Sequence, residues 1–139
     1  SRLMFDVANP ESAMVTVATS SDPNHRPDFI LTDDPKEFWM STGLFPQEFV
    51  ISFNSQMEIS SISLSHVNIQ HMEVFMCPNQ DGENFDPLCE EDLDQAEGSF
   101  NTASIPLKKK INVWHLRFLI TSASDHFVAV QKVKVEGRA

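Results

Sequence analysis

Apolar and polar residues alternate along this chain in short runs, a period of two that is typical of β-strands and not of helices. Residues 14–18 make the first run, and a polar loop follows it through Lys36. Residues 48–53 make the second run. Because alternate side chains of a strand point to opposite faces, we expect Phe49, Ile51 and Phe53 to face the core.

The run MEISSISLSHV, residues 57–67, changes phase in its middle. Met57 and Ile59 share one phase of the alternation, whereas Ile62 and Leu64 share the other. A β-bulge produces such a slip, because it places one extra residue opposite the partner strand. The pattern therefore predicts a strand with a bulge between Ile59 and Ile62.

Three further runs complete the alternation: residues 69–76, 111–120 and 126–136. In the last run valines alternate with lysines, and outward-facing lysines discourage edge-to-edge association of a peripheral strand. The predicted inward residues are Met72, Val74, Met76, Trp114, Leu116, Phe118, Ile120, Val133 and Val135, while Lys132 and Lys134 are predicted to face solvent.

Short strands separated by turn residues predict an all-β fold, an antiparallel β-sandwich. The length of 139 residues fits one domain that spans residues 1–139. The acidic segment 79–97 is the exception, because its periodicity is weak. Within it, DPLCEEDLDQAE (residues 86–97) fits either one or two helical turns or a ragged edge strand.

The net charge of −10 argues against a nucleic-acid or anionic-membrane partner, because phosphates would repel the protein at long range. Residues 51–100 hold ten Asp or Glu and no Lys or Arg, whereas residues 101–139 hold seven Lys or Arg and two acids. Either these segments offset each other in the fold, or an acidic surface meets a basic patch on a partner protein. No apolar run approaches the roughly 20 residues of a membrane span, and no signal-peptide pattern is present.

The sequence contains none of three common motifs of enzyme sites: a phosphate-binding glycine loop, a GxSxG turn or an HExxH pair. The turn TSASDHF, residues 121–127, contains Ser, Asp and His, but a catalytic triad needs these groups to converge in space beside an oxyanion hole. Hydrogen bonds that shape the turn explain Ser124 and Asp125 more simply. The sequence therefore predicts a protein that is not an enzyme.

The histidines and cysteines do not have the spacing of a metal or redox site. His66 and His71 are five residues apart, so on one strand they would point to opposite faces, and we expect ordinary surface or half-buried histidines. Cys77 and Cys89 are twelve positions apart, and we expect two free thiols in a reducing cytosol.

The loop LTDDPKEFWMSTG, residues 31–43, concentrates acidic residues ahead of Trp39. Calcium takes six to eight oxygen ligands, often from a loop that mixes carboxylates with main-chain carbonyls. The spacing is not that of an EF-hand, and clustered acids in a loop are more often solvated than bound to metal. If Trp39 faces inward, it holds the loop against the sandwich. The acids concerned are Asp33, Asp34 and Glu37 in this loop and Asp28 just before it.

Two long stretches of the chain resemble the intraflagellar transport protein 25 family, whose members are also catalogued as divergent heat-shock protein beta. The first is ATSSDPNHRPDFILTDDPKEFWMSTGLFPQEFVISF, residues 18–53, and the second is LRFLITSASDHFVAVQKVKVEG, residues 116–137. Residues 54–110 do not match with the same clarity. The residues that match the family pattern in the first stretch are Ala18 to Asp22, His25, Pro27, Ile30, Pro35, Phe38, Trp39, Thr42, Gly43 and Phe45 to Phe49.

The resemblance implies a discoidin-like (galactose-binding-like) jelly roll and a non-enzymatic subunit of intraflagellar transport complex B. It further implies a heterodimer with a Rab-like small GTPase subunit of the intraflagellar transport protein 27 type, and support for the export of signalling cargo. The implied location is the cytoplasm and the cilium. A glycan-binding module and an ATP-independent chaperone remain the alternatives for a sandwich of this kind.

The resemblance also implies one structural calcium ion that joins the first loop to the last strand. The carbonyl of Phe29 and the side chains of Asp34, Glu37 and Glu136 are the residues expected to hold it. The chain departs from the family there, because Thr32 stands where relatives carry a carboxylate and Glu37 where they carry a neutral oxygen donor. Calcium tolerates such shifts, since its coordination is flexible.

Overall fold

The computed structural model describes residues 3–94 and 99–139. Sixty-two per cent of the chain is strand and 4% is helix, so the predicted all-β class is confirmed. A 3₁₀ helix spans Pro27–Leu31. The strands are β1 (Phe5–Asp6), β2 (Ala13–Ala18), β3 (Trp39–Met40), β4 (Gln47–Val67), β5 (Ile69–Cys77), β6 (Asp86–Asp92), β7 (Asn101–Ala123) and β8 (Ala129–Arg138).

Two long strands, β4 and β7, pass through both layers of the sandwich. The first part of β4 pairs with β2 and with the second part of β7, and β5 and β6 extend that layer. The second part of β4 pairs with the first part of β7 and with β8, and β8 carries β1 and β3. All these pairings are antiparallel, and the register breaks between Ser52 and Met57.

The core between the layers is apolar and contains a cluster of large rings. Phe49 and Phe118 are fully buried and stack with their ring centroids 4.8 Å apart. Trp39, also fully buried, packs edge-on against Phe49 at 5.4 Å. Rings at these separations stabilise a core beyond the burial of their area. The predicted inward positions of Phe49, Ile51 and Phe53 are confirmed.

The bulge predicted in the run 57–67 is confirmed. The pairing of β4 with both of its neighbours slips between Ile59 and Ser61, and Ile59, Ile62 and Leu64 are all buried. The extra residue turns both apolar sets toward the same core. Among the other predicted inward residues, those confirmed as buried are Met72, Val74, Leu116, Phe118, Ile120, Val133 and Val135, and Met76 is partly buried against the core.

The prediction that Trp114 faces inward is wrong. Val113 is fully buried instead, and Trp114 is partly exposed. In β7, His115 pairs with Ser52 but Val113 pairs with Met57, so the register break in β4 shifts the inward phase of β7 at this point. The strict alternation from Trp114 to Ile120 therefore holds only from Leu116 onward.

The edges of the sandwich carry charge, proline or an irregularity. Residues 86–92 of the segment DPLCEEDLDQAE form the edge strand β6, while its residues 95–97 lie outside the described part of the chain. The first part of β7 carries Pro106 and three exposed lysines at residues 108–110. A bulge in β2 between Val15 and Val17 leaves Val17 exposed. Such features discourage the addition of a further strand.

The uneven charge is offset in part within the fold. Arg138 of β8 forms an ion pair with Glu58 of β4 at 2.7 Å. The lysines at residues 108–110, however, form no ion pair within the part of the chain that the structure describes.

No helix within residues 3–94 and 99–139 is long and apolar enough to cross a membrane.

Candidate functional site

The first loop is built on the short 3₁₀ helix Pro27–Leu31. Proline starts this helix because its fixed φ suits the first helical position. The Thr32 backbone N–H and side-chain hydroxyl both donate to the Phe29 carbonyl, at 3.2 and 3.0 Å. The helix thus ends on the same carbonyl oxygen that the family resemblance assigns to calcium.

Trp39 holds this loop against the sandwich, as the sequence predicts for an inward indole. Its ring is fully buried, and its Nε1–H donates to the Ser20 carbonyl at 2.9 Å. The preceding Phe38 stacks on His25 with ring centroids 4.0 Å apart. The aromatic pair of the motif therefore packs the loop from beneath and does not offer a bare aromatic platform.

The contacts of Phe29, Asp34 and Glu136 differ from one another, and Asp34 and Glu37 are joined through their backbone. The Asp34 carboxylate is exposed and accepts the Lys36 N–H at 2.9 Å, and the Asp34 carbonyl accepts the Glu37 N–H at 3.0 Å. Glu136 is exposed on β8, with the Ser61 hydroxyl 3.5 Å from its Oε2. Within residues 3–94 and 99–139, no three His, Cys, Asp or Glu side chains are arranged to hold a metal ion. The calcium ion itself stays a prediction.

The ammonium group of Lys132 lies at the junction of the first loop and the last strand. Its Nζ donates to the Ala8 carbonyl at 3.0 Å and to the Leu31 carbonyl at 3.1 Å. The Asp6 Oδ2 lies 3.2 Å away and the Asp33 Oδ1 3.6 Å away. The Lys132 side chain is only 13% exposed, so the prediction that it faces solvent is wrong. A lysine at an outward position of an alternating strand gives no sequence signal for this role.

His66 is buried without hydrogen bonds, which differs from the surface or half-buried histidine expected. Its exposed fraction is 0%, and neither ring nitrogen has a hydrogen-bond partner among the described residues. Burial lowers the pKa of His66 from its ordinary value of 6.5, because the charged imidazolium loses hydration. The ring is therefore a neutral core group, close to the acidic end of β6.

We expect His66→Leu to reduce the acid sensitivity of the fold. Below pH 6.5 the unfolded chain binds a proton at His66 that the folded chain does not, so this residue lowers the stability as pH falls. Leucine has no proton-binding site and removes two unsatisfied polar atoms, so the free energy of unfolding should rise by up to about 1 kcal/mol at neutral pH. Urea unfolding from pH 7.5 to pH 5 measures the difference between variant and wild type, which should widen toward pH 5.

His71 provides the matched control, because its pKa shifts the other way. The hydrogen bond that the imidazole donates to Asp92 is the largest cause that raises the pKa of His71, and the negative charges of Asp92, Glu90 and Glu73 add to it. Its Nδ1 lies 2.7 Å from the Asp92 Oδ1. His71→Gln therefore removes stability that is present below pH 6.5 and lost as pH rises through the raised pKa. A pH profile of His66→Leu that runs parallel to the wild type would contradict the assignment of His66.

The remaining candidate chemical groups are two turn residues and two cysteines. Asp125 Oδ1 accepts the His126 N–H at 2.7 Å, so the predicted turn hydrogen bond of Asp125 is confirmed, whereas the Ser124 hydroxyl donates at 3.2 Å to the side chain of Asn68, outside the turn. Cys77 and Cys89 are both free thiols. Burial, with a smaller effect of Glu91, raises the pKa of Cys89 to about 11, which keeps that thiol protonated and weakly nucleophilic.

The antiparallel sandwich, with its first loop held against it by Trp39, is a galactose-binding (discoidin-like) jelly-roll domain. The family 32 carbohydrate-binding module of Clostridium perfringens NanJ superposes with a TM-score of 0.83 at 12% identity, over 96% of this chain and 99% of that one. A module of family 32 from a Clostridium perfringens family 31 glycoside hydrolase superposes with a TM-score of 0.77 at 15% identity, over 98% and 96%. At these identities the likeness concerns the fold alone.

The chain belongs to the intraflagellar transport protein 25 family. It is 35% identical to the human intraflagellar transport protein 25 homolog over 127 residues, which are 91% of this chain and 88% of the human protein. It is 28% identical to intraflagellar transport protein 25 of Chlamydomonas reinhardtii over 139 residues, 96% of this chain and 70% of that protein. No protein-family model matches the chain.

Proposed function

We propose that the chain is a non-enzymatic scaffold subunit of intraflagellar transport complex B in the cytoplasm and the cilium. The observation that carries the proposal is the 35% identity to the human family member along 91% of the chain. The local engagement of the polar groups supports a scaffold, because catalysis needs a base and a nucleophile directed at one open position.

The proposed partner is a Rab-like small GTPase subunit of the intraflagellar transport protein 27 type, bound as a heterodimer that supports the export of signalling cargo. A stable pair buries on the order of 1,600 Å² and places Met and aromatic side chains near the centre. β2 presents one methionine and one valine with exposed apolar side chains at a sheet edge. Met14 is 61% exposed and Val17 47% exposed, and β2 pairs only with β4 among the described strands.

Co-expression of the chain with the Rab-like subunit tests the heterodimer. We expect the two proteins to co-elute as a 1:1 complex in size-exclusion chromatography at micromolar concentration. Two separate peaks under those conditions would remove the proposed partner. An ordinary Rab protein of similar size is the control for non-specific association.

Two charge variants then test where the partner binds. The double variant Met14→Asp with Val17→Asp changes the exposed apolar part of β2, whereas Leu44→Asp changes a loop residue that is 91% exposed. Loss of the complex only in the β2 variant places the partner at this edge. Retention of the complex by both variants assigns the contact to another face of the sandwich.

The structure offers no observation that favours the two alternative functions. Sugar stacking needs exposed aromatic rings, but Trp39 is fully buried and holds the loop from beneath. A chaperone surface rich in methionine would need several exposed methionine side chains, whereas Met57 and Met72 lie in the core and, of the six methionines, Met14 alone is in the exposed class.

A further inference from the structure

We infer that the ammonium group of Lys132 is a built-in cation that joins the first loop to the last strand in place of a metal ion. Lys132 lies on β8, Leu31 ends the 3₁₀ helix of the first loop, and Ala8 follows β1. One Nζ contacts all of these segments. Two of the three, the first loop and β8, are the segments that the predicted calcium ion would join.

The hydrogen-bonding capacity of the ammonium matches its surroundings. A lysine Nζ carries three N–H donors and no acceptor. Three oxygen atoms lie within 3.2 Å of it: the Ala8 carbonyl, the Leu31 carbonyl and the Asp6 Oδ2. Each donor therefore has one acceptor, and the Asp33 carboxylate at 3.6 Å adds a second negative charge nearby.

The second oxygen of Asp6 is also engaged, so the carboxylate is fixed in position. Asp6 Oδ1 accepts the backbone N–H groups of Ala8 and Val135, both at 3.0 Å. The carboxylate thus connects the chain after β1 to β8 while its other oxygen receives the ammonium. A half-buried carboxylate held by two N–H groups needs a cation beside it, because an uncompensated charge with little hydration is costly.

A calcium ion placed at this junction would be repelled by the Lys132 ammonium, although the oxygens around its Nζ belong to other residues than those predicted for calcium. Calcium binds oxygen at 2.3–2.6 Å, whereas the oxygens here are already at hydrogen-bond distance from a fixed positive charge. Two cations in one cage repel each other, and the lysine is covalently attached. The Lys132 proposal and the calcium prediction therefore give opposite results in one measurement.

The measurement is thermal unfolding of the whole chain, followed by circular dichroism in excess EDTA and in millimolar calcium chloride. We expect the wild-type Tm to be the same in both conditions. We expect Lys132→Met, which keeps most of the apolar stem, to lower the Tm by about 5 °C or more. The matched control is Lys134→Met on the same strand, an exposed lysine whose replacement should leave the Tm unchanged.

Asp6→Asn is the second variant, since it keeps the size of the side chain and tests the cage without removing the lysine. Asp6→Asn should lower the Tm. The double variant Asp6→Asn with Lys132→Met should lower the Tm by less than the sum of the two decreases found for the single variants. A wild-type Tm that rises in calcium or falls in EDTA would overturn the proposal. So would equal Tm values for Lys132→Met and Lys134→Met, or an unchanged Tm for Asp6→Asn.

Discussion

Replacing Trp39 with alanine is expected to lower the free energy of unfolding by about 3–5 kcal/mol, the range observed for large aromatic residues in protein cores. The indole is fully buried, packs edge-on against Phe49 and donates its N–H to the Ser20 carbonyl at 2.9 Å. Its removal leaves a cavity beneath the first loop and an unpaired carbonyl. Urea unfolding followed by circular dichroism measures the loss.

Two comparison variants separate packing from hydrogen bonding. Trp39→Phe keeps a ring in the core but loses the N–H donor, so its loss of stability should be smaller than that of alanine. Trp114→Ala removes the second of the two tryptophans, which is partly exposed, and it should cost clearly less than Trp39→Ala. Equal losses for the two alanine variants would contradict the role assigned to Trp39.

Gly137→Ala is expected to destabilise the chain by about 2–3 kcal/mol, the upper part of the range for overpacking. A Cβ atom at this position would lie 2.7 Å from the Glu58 carbonyl oxygen and 2.9 Å from the Ile59 Cγ2. Gly137 pairs with Ile59 just before the bulge in β4, so backbone atoms and not a flexible side-chain end would have to move. The requirement at this glycine is space for a close approach of two strands.

The neighbouring Glu136→Ala is the control for Gly137→Ala. Glu136 is exposed, and substitutions at exposed positions usually change the stability by less than about 0.5 kcal/mol. Urea unfolding of both variants gives the comparison. A Gly137→Ala variant as stable as Glu136→Ala would show that the two strands separate there without cost.

Much of the fold follows from the sequence because a period of two is a local signal. The bulge between Ile59 and Ser61 was predictable, since both apolar sets that it separates had to reach one core. The partial exposure of Trp114 was not predictable. Which residues of β7 face inward at this point depends on a register break in β4, which lies far away in sequence. His66 was not predictable either, since its burial depends on the layers that cover it and not on its neighbours in the chain.

The candidate site depends even more on residues that are distant in sequence, which local patterns do not predict. The residues predicted for calcium are close in sequence or match a family pattern, but Phe29, Asp34 and Glu136 bind different partners. The cage around Lys132 draws its oxygens from residues 6, 8, 31 and 33, and such a convergence has no spacing signal. The alternation placed Lys132 on the outer face of β8, but a neighbouring segment covers that face, so the exposure predicted for Lys132 is wrong.

The continuous passage of β4 and β7 through both layers has a mechanical consequence. Movement of one layer over the other would bend these two strands at the register break between Ser52 and Met57. A force applied to one layer by a bound protein is therefore carried by covalent backbone into the other layer.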